Sequence, residues 1–298
     1  MGSIVQELID HLTLETLDTN LFRGQSVDIG TTRVFGGQVL AQALAAAART
    51  VEEGDAHSLH AYFLRPGDPA APIIYEVDRA RDGRSYTSRR VIAIQHGQQI
   101  LNLAASFHRP EEGFAHQAPM PEVPRPESLK DMKAWHREFT ERFPGVPAPR
   151  FMMAEGPFDF RMVQPPPHLD PDGGDPVAMV WFRAIERLPD DPALHRTMLT
   201  YASDYSLIGT ATRPHRIDRT REYFAMTSLD HAMWFQRPFR VDEWLLYACE
   251  SPTATSGRCL VQGRIYREDG VLAAVVMQEG VMRVMQRKSA GARRDKDA

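Results

Sequence analysis

Three polar side chains sit where the surrounding pattern calls for apolar ones. Asp204 lies within Tyr201-Ala202-Ser203-Asp204-Tyr205-Ser206-Leu207-Ile208, flanked by bulky apolar residues on a helix-like stretch. Gln278 ends the apolar run Val271 to Met277, and Ser228 opens a strand-like segment, Thr227 to His231. A carboxylate on a buried helix is costly unless something binds it. Singly, each residue has an ordinary reading: an exposed or hydrogen-bonded Asp, a Gln satisfying a strand end, a Ser starting a strand. The chain has no G-x-S-x-G elbow, no G-x-G-x-x-G after a strand, no P-loop and no H-E-x-x-H. Serine-hydrolase, nucleotide-dependent and zinc-protease chemistries lose their support. What remains is noncovalent activation of water, or a proton transfer.

The elements that must position such groups are written twice. His60-Ala61-Tyr62-Phe63-Leu64-Arg65-Pro66 is answered by His231-Ala232-Met233-Trp234-Phe235-Gln236-Arg237-Pro238, with one extra residue in the second copy. Strand-like runs follow in both, Pro72 to Val77 and Trp244 to Cys249, and Gly83-Arg84-Ser85 is matched by Gly257-Arg258-Cys259. Each copy ends in a hairpin, turning at His96-Gly97 or at Asp269-Gly270, the stronger turn signal of the two. Ser106 falls near the place that Gln278 takes in the second copy. The period, about 172 residues, is too long for a solenoid and indicates duplication of one domain.

A helix precedes the strands in each half. Phe35 to Ala48 is alanine-rich, with Gly36-Gly37 at its entry, and Leu194 to Ala211 carries apolar residues at helical spacing. Sixteen of the 22 prolines fall between Pro110 and Pro192, a connection interrupted by one helix, Ser128 to Phe143. Residues 1–110 therefore read as the first half, 111–178 as a Pro-rich connection with one helix, 179–287 as the second half and 288–298 as a disordered tail. One long helix followed by four or five antiparallel strands makes each half α+β. A sheet curled around a central helix, the hotdog arrangement, is one such layout, and periodicity alone does not single it out.

Composition narrows the partners. The 298 residues are 43% apolar and 25% charged, with a formal charge of −4, which argues against nucleic acid or an anionic membrane. No apolar run spans a bilayer. Met1 to Leu17 reads as an amphipathic helix with Ile4, Val5, Leu8 and Leu12 on one side, not as a secretion signal. Cys249 and Cys259 read as reduced buried thiols, and no Cys/His cluster suggests a metal. The C-terminus carries no Ser-Lys-Leu signal, which favours a cytoplasmic setting.

Several motifs resemble one family. Phe22-Arg23-Gly24, Val34-Phe35-Gly36-Gly37-Gln38-Val39, Leu59 to Asp68 and Arg81-Asp82-Gly83 look like the first half of type II acyl-CoA thioesterases, the TesB-like family. Tyr201-Ala202-Ser203-Asp204, Leu229 to Phe235 and Gln278-Glu279-Gly280-Val281-Met282-Arg283 resemble its second half. The likeness runs from Leu14 to Arg283 and is weakest in the Pro-rich connection. It implies a double hotdog that hydrolyses medium- to long-chain fatty acyl-CoA to free fatty acid and CoA, without cofactor or metal. It maps the family's catalytic Asp, hydroxyl and Gln onto Asp204, Ser228 and Gln278, with Ser where relatives have Thr. The first-half helix has no acid, so one site per chain is expected.

The amides at Gly36 and Gly37 are candidates for holding the developing oxyanion, although that helix end reads equally as packed. Arg65, Arg84, Arg89 and Arg90 are candidates for the CoA phosphates; for any one of them a solvated basic face is the simpler reading. The family resemblance also implies a homodimer or homotetramer. Two other readings stay open: a noncatalytic acyl-CoA-binding protein, and a hotdog enoyl-CoA hydratase or dehydratase. The second is disfavoured because no His accompanies Asp204 on its helix turn.

Overall fold

The computed structural model describes residues 2–27, 33–148, 156–167, 169–170, 173–205, 207–218 and 221–287. The tail expected at 288–298 lies outside them, as does Ser206.

The first half comprises α1 (Ile4–Leu12), β1 (Glu15–Asp18), β2 (Leu21–Gly24), α2 (Gly36–Ala48), β3 (Asp55–Phe63), β4 (Ile73–Asp82), β5 (Tyr86–Gln95) and β6 (Gln98–His108). The helix α3 (Met132–Arg142) and strand β7 (Phe158–Met162) follow in the connection. The second half continues with β8 (Val177–Ala184), α4 (Pro192–Ser203), β9 (Glu222–Ser228), β10 (Asp230–Phe235), β11 (Leu245–Thr255), β12 (Arg258–Arg267) and β13 (Leu272–Gln286). The connection thus contributes a strand as well as the expected helix, and two strands precede the main helix in each half.

One antiparallel sheet runs β1-β2-β4-β5-β6-β3-β10-β13-β12-β11-β8-β7, with β9 added along β13. The order reads the same from either edge once β1 to β6 are matched with β7, β8 and β10 to β13, so the two halves are related by a pseudo-twofold at the β3–β10 seam. This is the double hotdog. The inner helix α2 buries every residue from Gly37 to Leu44, and its alanines let the sheet and α4 approach closely. At the β5–β6 hairpin, His96 (φ 48°) and Gly97 (φ 70°) supply the two left-handed residues that a tight right-twisted turn needs.

In the first half, α2 and the strands β4 to β6 fall where the sequence places them, whereas β1 and β2 before the helix do not appear in that reading. Three second-half expectations change. The helix expected to reach Ala211 stops at Ser203, and Asp204 (φ −89°, ψ −3°) is its C-cap. A 3-10 turn, Ile208–Thr212, carries the apolar spacing onward and buries Ala211, so in sequence the two pieces read as one helix. Ser228 closes β9 instead of opening a strand. Gln278 lies mid-strand, because β9 pairs with residues 280–286 and extends β13 well past it.

Register also corrects the repeat. His231 pairs with Ala61, and Ala232 with His60. Residues opposite one another share a face, so His231 points inward while His60 points out. Matching the Arg-Pro pairs instead sets Leu59 against His231 and Tyr62 against Trp234. Leu59 pairs with Ala105 on β6, which makes Ala105 the counterpart of Gln278. Ser106 turns to the other face, where its hydroxyl meets His57 Nε2 at 2.8 Å.

Both cysteines are buried and unpaired, and burial pushes both thiols up. No helix among the described residues is long and apolar enough to cross a membrane.

Candidate active site

Asp204, Ser228 and Gln278 come from three separate elements, the C-cap of α4, the end of β9 and the middle of β13, and meet at one point. Gln278 Nε2 donates to Asp204 Oδ1 at 2.7 Å and to Ser228 Oγ at 2.8 Å. Both amide protons of Gln278 are thereby used, and a carboxylate neighbour requires that its NH2 end face this way. Ser228 and the Gly37 amide lie close enough to Asp204 to favour its charged form. Gln278 is fully buried, and its Oε1 has no hydrogen-bond partner among the described residues.

The electrostatics follow from burial. Only 6% of the Asp204 side chain is exposed. Loss of water pushes its carboxyl up to about 6, against the opposing pull of the donors Gln278, Gly37 and Ser228. A carboxylate at this point is still ionised at neutral pH but holds a proton far better than a surface Asp does.

The first half supplies the wall. A Cβ on Gly36 would lie 2.7 Å from Asp204 Oδ2, and one on Gly37 would lie 2.5 Å from the Tyr201 carbonyl oxygen. The glycines are what allow the α2 N-terminus to press against the acid, where its dipole favours negative charge. The Gly37 N–H faces Asp204 and favours its charged form.

The four arginines separate. Arg65, Arg84 and Arg90 are exposed. Arg89 is only 1% exposed and cannot meet a phosphate in solvent. Its guanidinium donates to Thr50 Oγ1, the Thr50 carbonyl and Asp82, so it ties α2's exit to the β4–β5 hairpin. A basic pair in sequence does not reveal that strand alternation sends one member inward.

Sequence reasoning missed two features. His231 is fully buried, its Nδ1 3.9 Å from Asp204 Oδ1. It approaches from β10, not from the Asp204 helix turn. The signal was its place in an inward alternation with Met233 and Phe235. The other is an aromatic cluster in which the Phe35 ring meets Tyr201 edge-on, with centroids 5.1 Å apart, and Tyr205 at a tilt, 4.9 Å apart. These rings line a cavity of about 970 Å³ together with Ile4, Leu8 and Phe158. Among the described residues no three His, Cys, Asp or Glu side chains converge as a metal site needs.

The chain and its fold are similar to those of known proteins. A family model described as acyl-CoA thioesterase matches residues 154–281, and one described as acyl-CoA thioesterase N-terminal domain matches residues 25–108. Human acyl-coenzyme A thioesterase 8 is 43% identical over 282 residues, covering 92% of this chain and 88% of that one. Acyl-CoA thioesterase 2 of Haemophilus influenzae is 40% identical, covering 95% and 99% of the two chains. The crystal structure of acyl-CoA thioesterase II TesB2 from Mycobacterium marinum superposes with a TM-score of 0.76 at 41% identity, over 93% of this chain and 98% of that one. The dehydratase domain of PpsC from Mycobacterium tuberculosis, at 14% identity and a TM-score of 0.54, shares the fold alone.

Proposed function

The chain belongs to the acyl-CoA thioesterase family, and from that premise we propose that it hydrolyses medium- to long-chain fatty acyl-CoA at Asp204, Ser228 and Gln278. The observation that carries this reading is the convergence of the three side chains on one buried carboxylate.

Asp204 accepts a proton from a water as that water attacks the thioester carbon. Gln278 keeps the acid in place through its amide, and its buried Oε1 is left to accept a hydrogen bond from the water's second O–H. The Ser228 hydroxyl holds the other side of the amide. Base assistance of this kind contributes about 10²–10⁴-fold, and fixing the water adds to it. A thiolate leaves readily, so the mechanism calls for no strong acid at the leaving group.

The aromatic-walled cavity suits an acyl chain, since its volume sits at the upper end of the roughly 300–1,000 Å³ usual for small-ligand pockets. For the CoA phosphates, exposed Arg65 is the best placed of the three remaining arginines in one respect: it follows Phe63, whose ring lies 3.1 Å from the Gly36 Cβ position. The family resemblance supports a homodimer or homotetramer, which a light-scattering mass decides.

Thiol release from an acyl-CoA chain-length series, native protein against Asp204→Asn, tests the assignment. Native release that vanishes in the folded variant is the expected result. A folded variant that keeps the native rate overturns the mechanism, and native binding without release overturns the activity.

A further inference from the structure

His231 stands at an inward position of β10 whose first-half counterpart is Leu59. The ring is fully buried. Its Nε2 lies 3.0 Å from Ser203 Oγ, and the same hydroxyl lies 2.9 Å from the Thr200 carbonyl oxygen. A carbonyl can only accept, so the single hydroxyl proton of Ser203 sits between Ser203 and Thr200. Ser203 Oγ must then accept from the ring, and Nε2 carries the hydrogen. That leaves a lone pair on Nδ1, which has no hydrogen-bond partner among the described residues and lies 3.9 Å from Asp204 Oδ1.

Few other groups compete for that lone pair. On β3, Leu59 and Ala61 face the ring from the opposite strand and are apolar. From β11, Tyr247 directs its hydroxyl to the Ser203 carbonyl. Asp230 and Glu279 alternate to the other face of the sheet. Asp204 on α4 is the remaining titratable neighbour. A lone pair facing a carboxylate is repelled. The same lone pair facing a carboxylic acid is a hydrogen-bond acceptor, reached by a shift of about 1 Å from contact at the usual ~2.7–3.0 Å.

We propose that His231 is a positioning residue for hydrolysis: its Nδ1 receives the O–H of Asp204 once that carboxylate has taken a proton from the attacking water. The inference rests on Asp204 acting as the base. The water O–H breaks, the Asp204 O–H and the new C–O bond form, and the proton stays on Asp204, held against Nδ1, until the departing thiolate of CoA takes it. His231 never changes its own charge. Burial, which holds its imidazolium form down to about pH 3, fits that constancy.

The test is His231→Gln in the full chain. A Gln side-chain amide reaches the Nε2 position and can keep the Ser203 bond, but it places nothing at Nδ1. We expect kcat to fall about tenfold with KM within about twofold, the loss of one hydrogen bond to a reacting group. The acid limb of the kcat–pH profile should move to lower pH, because the protonated acid loses its acceptor. An unchanged kcat and limb in a folded variant overturns the inference. If the variant does not fold, 15N NMR of the native protein decides: an Nε2-protonated, Nδ1-bare ring supports the inference and an Nδ1-protonated ring ends it. Asp204→Asn separates the two layers. If it retains activity, the base assignment fails; if it is inactive while His231→Gln is native-like, only the role of His231 fails.

Discussion

The two halves share a helix, a sheet order and a hairpin, yet their inner faces carry different chemistry. At the C-cap of the main helix the second half has Asp204 and the first has Arg49. Where the second half sets His231 and Gln278 side by side on the inner face, the first has Leu59 and Ala105, both apolar and buried. The link from helix to seam strand also differs. It is the short stretch 49–54 in the first half and the long stretch 204–229 in the second, which includes the 3-10 turn and β9. That longer path carries Ser228 back to the acid. The first half is not idle: its contribution is the glycine-lined helix N-terminus pressed on Asp204. One half holds the proposed reacting groups, and the other shapes the wall behind them.

This division can be broken or sharpened by measurement. The largest expected effect is that of Asp204→Asn. Because the first half has no acid to fall back on, thiol release should drop by about 10²–10⁴-fold and not by half; half-activity in single-turnover assays would mean a second working site. Next comes Gly36→Ala, a first-half change read in the second half. Its Cβ would lie 2.7 Å from Asp204 Oδ2, so the carboxylate must move, and kcat should fall roughly ten- to a hundredfold, in line with the cost of a small misplacement. Unchanged kcat would show that the wall does not locate the acid.

Acidity gives a third test. A base works only when ionised, and burial lifts Asp204 from 3.8 to about 6. Activity should therefore be half-lost near pH 6 and fall about tenfold for each further unit, where an exposed Asp would hold to near pH 4. A profile flat down to pH 4.5 would contradict the burial argument. The smallest effect is expected from Ser228→Ala. It removes one neutral hydrogen bond from a network that keeps Gln278 and Gly37, worth less than about tenfold. A loss equal to that of Asp204→Asn would rank the hydroxyl with the base.

Much of the scaffold was legible because it is local. The Ala-rich α2, the Asp269-Gly270 turn and the alternation of β5 and β6 all write their geometry in neighbouring residues. The end of α4 was not, because a 3-10 turn continues the same apolar spacing past Ser203. Nor was β9, whose residues pair with a strand extension 52 to 64 residues away. Arg89 looked like a surface cation beside Arg90, and only the pleat showed that it faces inward. The His-Ala match between the copies was likewise misleading, since a one-residue slip in a strand exchanges its two faces.

By itself the sequence determined the duplication and the family, and through the family resemblance it put forward Asp204, Ser228 and Gln278 as candidates, since residue types and motif order survive without coordinates. Tertiary structure decided how those three meet, why the acid sits near pH 6 and which histidine stands behind it. Burial, proton inventory and strand facing depend on what lies across the sheet, and that is set by chain segments far apart in the sequence.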